Sequence, residues 1–243
     1  MRNVSIPTAR RHEPVPRLSA EVPAERTVSL TVETVLVTVG VVAFVGLLST
    51  NRTHPLQWFV VPAMLIIAAM VPAWIANRDF PRFGLDPKHI GLALGTVGRM
   101  CICVLPMVFL GLWAIRSLDL PIPLQPTIAG RRNALTWLVY QFVYVAVAEE
   151  VFFRGYVQAN ALRLLGGLSR LSWTARQRIA ILISAACFAA AHVVVQGHIL
   201  SALTFLPGLL LAWLFVRTQS LLAPILFHGL ANVFYGIIAM TLA

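Results

Sequence analysis

Charged side chains are what this sequence has least of, since only 12% of its 243 residues are Asp, Glu, Lys or Arg. A soluble globular domain carries about 25% charged residues, whereas 58% of this chain is hydrophobic. The shortage of charge therefore excludes an ordinary soluble domain. It indicates an integral, multi-pass membrane protein instead.

Cysteine is scarce too, and two easily recognised metal-binding patterns are missing. The three cysteines, Cys101, Cys103 and Cys187, all fall in apolar runs and form no CxxC pair. We expect them to pack as small apolar side chains. The HExxH motif of helical zinc proteases is absent as well. Because both patterns are absent, the sequence contains no easily recognised metal site.

Long apolar runs are what the sequence has in abundance. A helix needs about 20 mostly apolar residues to cross a bilayer. Seven runs come close to that length or exceed it: 28–48, 57–76, 92–115, 134–157, 179–197, 199–216 and 221–241. The sequence therefore predicts an all-α, polytopic membrane bundle of about seven transmembrane helices. The range is six to eight, because only Gly197 and His198 separate the fifth run from the sixth.

The basic residues predict how the chain is oriented. Residues 1–26 are basic, contain prolines and lack periodicity, which predicts a disordered tail before a single transmembrane domain at 27–243. Thirteen Lys and Arg residues flank the spans on the side of the amino terminus, against four on the other side. This bias predicts a cytoplasmic amino terminus, and the chain length favours a prokaryotic cytoplasmic membrane. The net charge of +10 is therefore explained by basic residues that orient the helices in the membrane. We expect the lipid bilayer to be a partner, and we do not expect nucleic acid to be one.

Acidic residues inside the apolar runs are few, and each is a candidate for function because ionisable groups are costly in a membrane. Glu33, Glu149 and Glu150 fall in such runs, and no acidic residue follows Glu150. Glu33 lies near the end of its run, as does Arg99, and snorkelling to the interface explains both. The adjacent pair in AEEVFFRGY, residues 148–156, has no such explanation.

Helical geometry gives the two adjacent carboxylates different environments. Glu150 and Arg154 are four residues apart, so they share a helix face and can pair, which offsets much of the cost of burying both. Glu149 is rotated by about 100° from Glu150 and is left to face a cavity. The spacing predicts a structural carboxylate next to a chemically active one.

Two further segments carry polar side chains at helical spacing. Phe188 and His192 are four residues apart in CFAAAHVVVQG, and His228 and Asn232 are four apart in APILFHGLANVFYG. Alone, each polar residue commonly just bonds a neighbouring helix. Together with Glu149, they offer a carboxylate and an imidazole that can deprotonate a water, and two donors for an oxyanion. This set fits peptide-bond hydrolysis in a membrane cavity.

Three short motifs resemble those of one known family. EEVFFR matches the pattern EExxxR, FAAAH matches FxxxH and HGLAN matches HxxxN. In this order they are typical of the CAAX-protease and bacteriocin-processing family, also called the CPBP or Abi family. Its members are intramembrane endopeptidases that include the Ras-converting CAAX endopeptidases. The resemblance covers about residues 134–236, and the first 130 residues show no comparable match.

The resemblance implies a role for each motif residue. It implies that Glu149 activates the hydrolytic water together with His192. It implies that His228 and Asn232 hold the oxyanion, while the supporting residues are Glu150, Arg154 and Phe188. The substrate would be a membrane-associated peptide or protein, and nothing in the sequence specifies whether it is prenylated.

Two alternatives remain open, one for the use of a metal and one for whether the protein cleaves its ligand. The family has been interpreted as metal-dependent and as glutamate-dependent, and zinc could take Glu149, His192 and His228 as its three ligands. Since HExxH is absent, we favour a metal-free glutamic endopeptidase without a cofactor. The alternative function is a non-cleaving membrane-binding, immunity-type or transport protein that uses the same polar cluster. Transporters often have paired halves with broken helices, and no such internal symmetry is visible.

The predicted helix boundaries disagree about the depth of the site. At 1.5 Å per residue, Glu149 lies about 22 Å from residue 134, and His192 about 21 Å from residue 178. The two helices run in opposite directions, so in a hydrocarbon core about 30 Å thick the depths differ by about 10 Å. We therefore expect the motif helix to continue past 158 into NALRLL.

Overall fold

The computed structural model of the chain describes residues 24–50, 57–81, 83, 85, 87–118 and 134–242. Seven helices run through these described residues: α1 (Ala24–Thr50), α2 (Gln57–Ile75), α3 (Pro87–Ser117), α4 (Ala134–Gly166), α5 (Trp173–Gln196), α6 (Ile199–Thr218) and α7 (Leu222–Leu242). All but α2 are long and apolar enough to cross a membrane, and α2 holds a shorter apolar stretch, Phe59–Ile75. The predicted all-α, polytopic fold is confirmed.

The outer faces of the bundle are apolar. Trp74 is 81% exposed and Ile102 is 76% exposed, and many other large apolar side chains also point outwards. Such a surface is suited to contact with lipid. Lipid offers no hydrogen bonds to the backbone, and within a helix the backbone groups bond to one another. The interior is built on α4, which packs against α1, α2, α5, α6 and α7.

Several predicted helix ends differ from the observed ones, and helix α3, for example, begins at Pro87 rather than at 92. Helix α1 begins at Ala24, so it includes the last three residues of the predicted tail 1–26, and the rest of that tail lies outside the described residues. Helix α5 begins at Trp173 rather than at 179. The predicted end of the motif span at 157 was wrong as well, while the expected continuation into NALRLL is confirmed because α4 ends at Gly166.

An interpretation based on apolar runs stops too early in α4 because the next residues are polar yet buried. Asn160 is 1% exposed and Arg163 is 9% exposed. The Nη1 group of Arg163 donates to Oδ1 of Asn160 at 2.8 Å. Burial of these groups is tolerated because they are hydrogen-bonded.

The corrected boundaries bring the motif residues to a common depth. Helices α4 and α5 are joined by residues 167–172. At 1.5 Å per residue, Glu149 lies about 26 Å from that connection along α4 and His192 about 29 Å along α5. The mismatch of the predicted depths therefore came from the boundaries.

A polar clamp holds α1 against α4. We use this name for Glu33, Thr34, Arg78, Tyr156 and Asn160. Glu33 accepts hydrogen bonds from Arg78 and from the Tyr156 hydroxyl, the latter at 2.9 Å. The Asn160 amide donates to the Thr34 hydroxyl at 3.2 Å. The snorkelling explanation for Glu33 was therefore wrong, because its carboxylate is directed into the bundle.

Candidate active site

Two stretches of π-helix flank the adjacent glutamates in α4. They cover Tyr140–Ala146 and Val151–Gln158, with a short α-helical stretch, Val147–Glu150, between them. Turns of π-helix are rare and often occur at functional sites, because they break the regular hydrogen-bond ladder. The hydroxyl of Ser184 donates to the Phe153 carbonyl within the second stretch at 3.0 Å. The sequence did not predict these stretches.

The predicted ion pair of α4 is present and fully buried. Nε of Arg154 lies 3.1 Å from Oε2 of Glu150, and both side chains are 0% exposed. Nη2 of Arg154 also donates to the Gly208 carbonyl of α6 at 3.2 Å. The guanidinium carbon lies 4.8 Å from the centre of the Phe188 ring, which adds a cation–π contact. The pair thus joins α4 to α5 and α6.

His228 lies between the two glutamates. Its Nδ1 is 2.8 Å from Oε1 of Glu150, and its Nε2 is 3.9 Å from Oε2 of Glu149. Glu150 is an ionised acceptor because it pairs with Arg154, so Nδ1 of His228 carries the proton of the shorter contact. The sequence predicted only Arg154 as a partner of Glu150, and this second partner on α7 was missed.

A glycine next to His228 lets α7 approach α4 closely. A Cβ atom added at Gly229 would overlap the ring of Phe142 on α4. Small residues at helix contacts allow backbones to come together in membrane proteins. The glycine of HGLAN therefore helps to bring His228 within hydrogen-bonding distance of Glu150.

Glu149 and His192 face one cavity of about 190 Å³, which lies between α1, α2, α4 and α5. The side chain of Glu149 is 20% exposed, whereas that of Glu150 is fully buried. Oε2 of Glu149 is a buried atom that accepts no hydrogen bond from the described residues. Oε2 of Glu150 accepts no hydrogen bond from the described residues either, but it is ion-paired with Nε of Arg154 at 3.1 Å. The two carboxylates therefore differ in exposure and in ion pairing, since Oε2 of Glu149 lies 3.9 Å from its nearest cationic partner, His228, and its side chain lines the cavity.

Phe188 positions His192 in two ways. The Nδ1 atom of His192 is 2.9 Å from the Phe188 carbonyl, and the two rings are 4.4 Å apart between centroids. A carbonyl can only accept, so Nδ1 carries a hydrogen. In the neutral imidazole, Nε2 then has the free electron pair and can accept a proton. Phe188 also contacts His228 edge-on at 6.0 Å between ring centres.

Asn232 lies one turn beyond His228 on α7 and has a partner that the sequence analysis missed. Its Nδ2 donates to Oε1 of Gln141 on α4 at 3.0 Å. Gln141 interrupts the apolar run ALTWLVYQFVYVAV two turns before Glu149, and this isolated polar residue was the signal that could have identified it. The other six predicted residues lie in one connected cluster, which we call the cavity cluster: Glu149, Glu150, Arg154, Phe188, His192 and His228.

The side chains of the described residues do not form a ready-made zinc site. Within the part of the chain that the structure describes, no three His, Cys, Asp or Glu side chains are grouped so that they could hold a metal ion. The alternative ligand set of Glu149, His192 and His228 therefore does not fit zinc in this arrangement, since zinc requires three protein ligands at bonding distance.

Comparison with known proteins identifies the same segment that the motifs do. Residues 131–234 match the family model described as Type II CAAX prenyl endopeptidase Rce1-like. No curated protein and no solved structure matches the chain. The match spans all three motifs and Gln141, and it confirms the resemblance that the motifs indicated. At the level of the family, the chain is therefore similar to intramembrane CAAX-type endopeptidases.

Proposed function

We propose that this protein is an intramembrane endopeptidase that hydrolyses peptide bonds of membrane-associated peptides or proteins with a water activated by Glu149 and His192. The observation that carries the proposal is the shared cavity: a carboxylate oxygen without a hydrogen-bond partner among the described residues and an imidazole face the same largely apolar space. The cavity of about 190 Å³ has room for several waters, at about 30 Å³ each.

The first chemical step is attack of that water on the scissile carbonyl. Glu149 takes a proton from the water, while Nε2 of His192 accepts its other hydrogen bond and fixes its position. The water oxygen bonds to the carbonyl carbon, and the carbonyl oxygen becomes the oxyanion of a tetrahedral intermediate. Glu149 then returns the proton to the leaving nitrogen, the C–N bond breaks, and a carboxylic acid and an amine are released.

His228 and Asn232 stabilise the oxyanion in this scheme. With Nδ1 bonded to Glu150, the ring of His228 is held in place. In the doubly protonated form of the imidazole, Nε2 also carries a hydrogen that it can donate to the oxyanion. The Asn232 amide has two hydrogens and gives one to Gln141, so the second can be donated to the oxyanion. Preorganised donors of this kind commonly contribute a large part of catalysis.

Glu150 and Arg154 serve the site indirectly. Their charges cancel, so the ion pair adds no net charge next to Glu149. Glu149 can then gain and lose a proton during the reaction without a second unpaired charge beside it. We propose no metal in the reaction, because the chain's own acid, base and donor groups account for each proton transfer.

The direct test is cleavage of a peptide library by the purified protein in detergent. We expect the wild-type protein to cut at least one peptide, and Glu149→Gln to cut none at a measurable rate while unfolding at the same temperature. Binding of peptides without cleavage by both proteins would instead support the alternative of a non-cleaving binding or immunity-type protein. Movement of a solute into proteoliposomes would support a transporter.

We also propose the orientation that the basic residues indicate, with the amino terminus in the cytoplasm of a prokaryotic cell. Seven spans then place the carboxyl terminus on the far side. Reporter fusions at the two ends should report opposite faces of the membrane. Two reporters on one face would contradict seven crossings and favour six or eight.

A further inference from the structure

Ser184 of α5 is a buried polar residue that the proposed chemistry does not use. Its side chain is 0% exposed, and its hydroxyl donates to the Phe153 carbonyl of α4 at 3.0 Å. A hydroxyl inside a membrane bundle costs free energy unless it is hydrogen-bonded. An alanine would fill the same place without that cost, as Ala185 and Ala186 do in the next two positions. The hydroxyl of Ser184 is therefore better explained by the bond that it makes than by packing.

Ser184 is the first of three side chains of α5 that are directed towards α4 on successive turns. Ser184, Phe188 and His192 are each four residues apart, so they lie on one side of the helix, and we call them the α5 row. The ring of Phe188 meets the ring of Phe153 edge-on at 5.2 Å between centroids. His192 faces the cavity that Glu149 also lines. The residue that bonds α4 and the residue proposed to position the water thus belong to the same row.

The acceptor of this hydrogen bond lies close to the two adjacent glutamates. Phe153 belongs to the second π-helical stretch of α4, Val151–Gln158, which begins directly after Glu150. It is four residues after Glu149, about one helical turn from the proposed base, and it lines the same cavity. A π-helical stretch departs from the regular hydrogen-bond ladder of an α-helix. The Ser184 hydroxyl adds a bond from a neighbouring helix at this point.

A hydrogen bond fixes the position of α5 along α4 more strictly than apolar contacts do. Attraction between apolar groups is non-directional, whereas a hydrogen bond weakens steeply when its angle falls below about 120°. A shift by one residue along a helix is about 1.5 Å, which is enough to distort the bond between Ser184 and Phe153. The same shift would move His192 relative to Glu149. A misplacement of about 1 Å can lower a reaction rate by about 10²-fold.

We infer, on the basis of the proposed function, that Ser184 is a positioning residue, which fixes the register of α5 against α4 and so keeps His192 opposite Glu149 at the shared cavity. Ser184 is not one of the residues that line this cavity, so it makes no contact with the substrate there. Its effect is therefore expected in the rate of the chemical step and not in the binding of the peptide.

The kinetic test compares two buried serines that make the same kind of bond. Ser220 is also 0% exposed, and its hydroxyl donates to the Phe83 carbonyl at 2.7 Å, outside the cavity cluster. Ser184→Ala should lower kcat per folded molecule by about tenfold to 10²-fold with little change in KM, because His192 and Glu149 lose their alignment. Ser220→Ala loses an equivalent hydrogen bond and should keep the kcat of the wild-type protein.

A conservative variant at the same position extends this test. Ser184→Cys keeps a donor, although the S–H group is a weak one, so its kcat should lie between those of the wild type and Ser184→Ala. A Ser184→Cys protein no faster than Ser184→Ala would contradict the role of the hydroxyl. An unchanged kcat in Ser184→Ala, a loss that appears in KM, or an equal loss of kcat in Ser220→Ala would overturn the inference and leave the proposed function intact.

A cross-linking measurement separates the two proposals if no peptide is cleaved. Glu149→Cys is combined with His192→Cys, or with Val195→Cys as the neighbouring register, in a protein whose three native cysteines are replaced by alanine. The rates of cross-linking by a short bifunctional thiol reagent are compared with and without Ser184→Ala. A shift of the rate ratio towards the second pair supports the register role of Ser184, even where the absence of cleavage has refuted the proposed function. An unchanged ratio would refute the register role.

Discussion

Two groups of polar residues, the half-buried polar clamp and the buried cavity cluster, contact α4 about two turns apart, and they use their carboxylates differently. In the polar clamp, Glu33 accepts hydrogen bonds from Arg78 and Tyr156. In the cavity cluster, Glu150 is held in the same manner by Arg154 and His228. Only the cavity cluster adds a second carboxylate, Glu149, with a buried oxygen that accepts no hydrogen bond from the residues described.

The comparison shows that an ion pair inside the bundle is a poor sign of chemistry by itself. Both regions contain a pairing of Glu with Arg, and such pairs commonly hold helices together. What distinguishes the cavity cluster is the acceptor that remains after the pairing is complete, together with an imidazole that faces the same cavity. The remaining acceptor, and not the pair, marks the candidate site.

The largest effect is expected when one carboxylate in each region is neutralised, which tests whether the two regions differ in function. Glu149→Gln should lower the cleavage rate by at least about 10²–10⁴-fold, because a general base is lost, and should leave thermal unfolding unchanged. Glu33→Gln is the matched control, since it removes the same charge from the polar clamp. It should lower the unfolding temperature while cleavage per folded molecule persists. Similar rate losses in the two variants would contradict the distinction.

The second test concerns the ion pair of the cavity cluster. Glu150→Ala or Arg154→Ala should lower the free energy of unfolding by about 3–5 kcal/mol, because each leaves a buried charge without its partner. The double variant should cost less than the two single losses added, and thermal unfolding of all four proteins measures this coupling. If Glu149→Gln stayed active while Glu150→Gln were folded and inactive, the two glutamates would have the opposite roles.

A smaller effect is expected at Gln141, which orients Asn232. Gln141→Leu should lower kcat by about tenfold, the equivalent of one hydrogen bond, with little change in KM. Gln141→Glu should keep most of the activity, because a carboxylate still accepts the hydrogen bond from the Asn232 amide. Steady-state kinetics of the two variants decide this. Equal losses in both would contradict an accepting role for Gln141.

The smallest effect is expected from chelators. If the reaction uses only the side chains of the cavity cluster and Asn232, exhaustive chelation should leave the cleavage rate unchanged. Metal analysis of the purified protein is the parallel measurement. Stoichiometric zinc whose removal abolishes activity and whose return restores it would establish the metal-dependent alternative.

Much of the candidate site could be predicted from local spacing. The i, i+4 relation of Glu150 and Arg154 is a property of any helix, so their ion pair followed from the sequence. The different environment of Glu149 followed from the 100° step between neighbours. The bond between Glu150 and His228 could not be predicted, because it depends on how closely α7 approaches α4.

The ends of the helices were harder to predict than their number. Hydropathy identified seven apolar segments because each must satisfy lipid on its outer face. It could not extend α4 across Asn160 and Arg163, since their burial is compensated by hydrogen bonds that only the folded chain provides. Glu33 was predicted to snorkel to the membrane interface for the same reason, because its partners Arg78 and Tyr156 are brought to it only when the chain folds.

The fold class, the order of the motifs and the sharing of helix faces could all be predicted from the amino-acid sequence, because they depend on composition and on the helical repeat. Which helix faces meet depends on the packing of the folded chain. This packing joined His228 to Glu150 and Asn232 to Gln141, and it left one oxygen of Glu149 beside a cavity. These contacts depend on distances between helices, which are set by packing across the whole bundle and are not encoded in any local pattern.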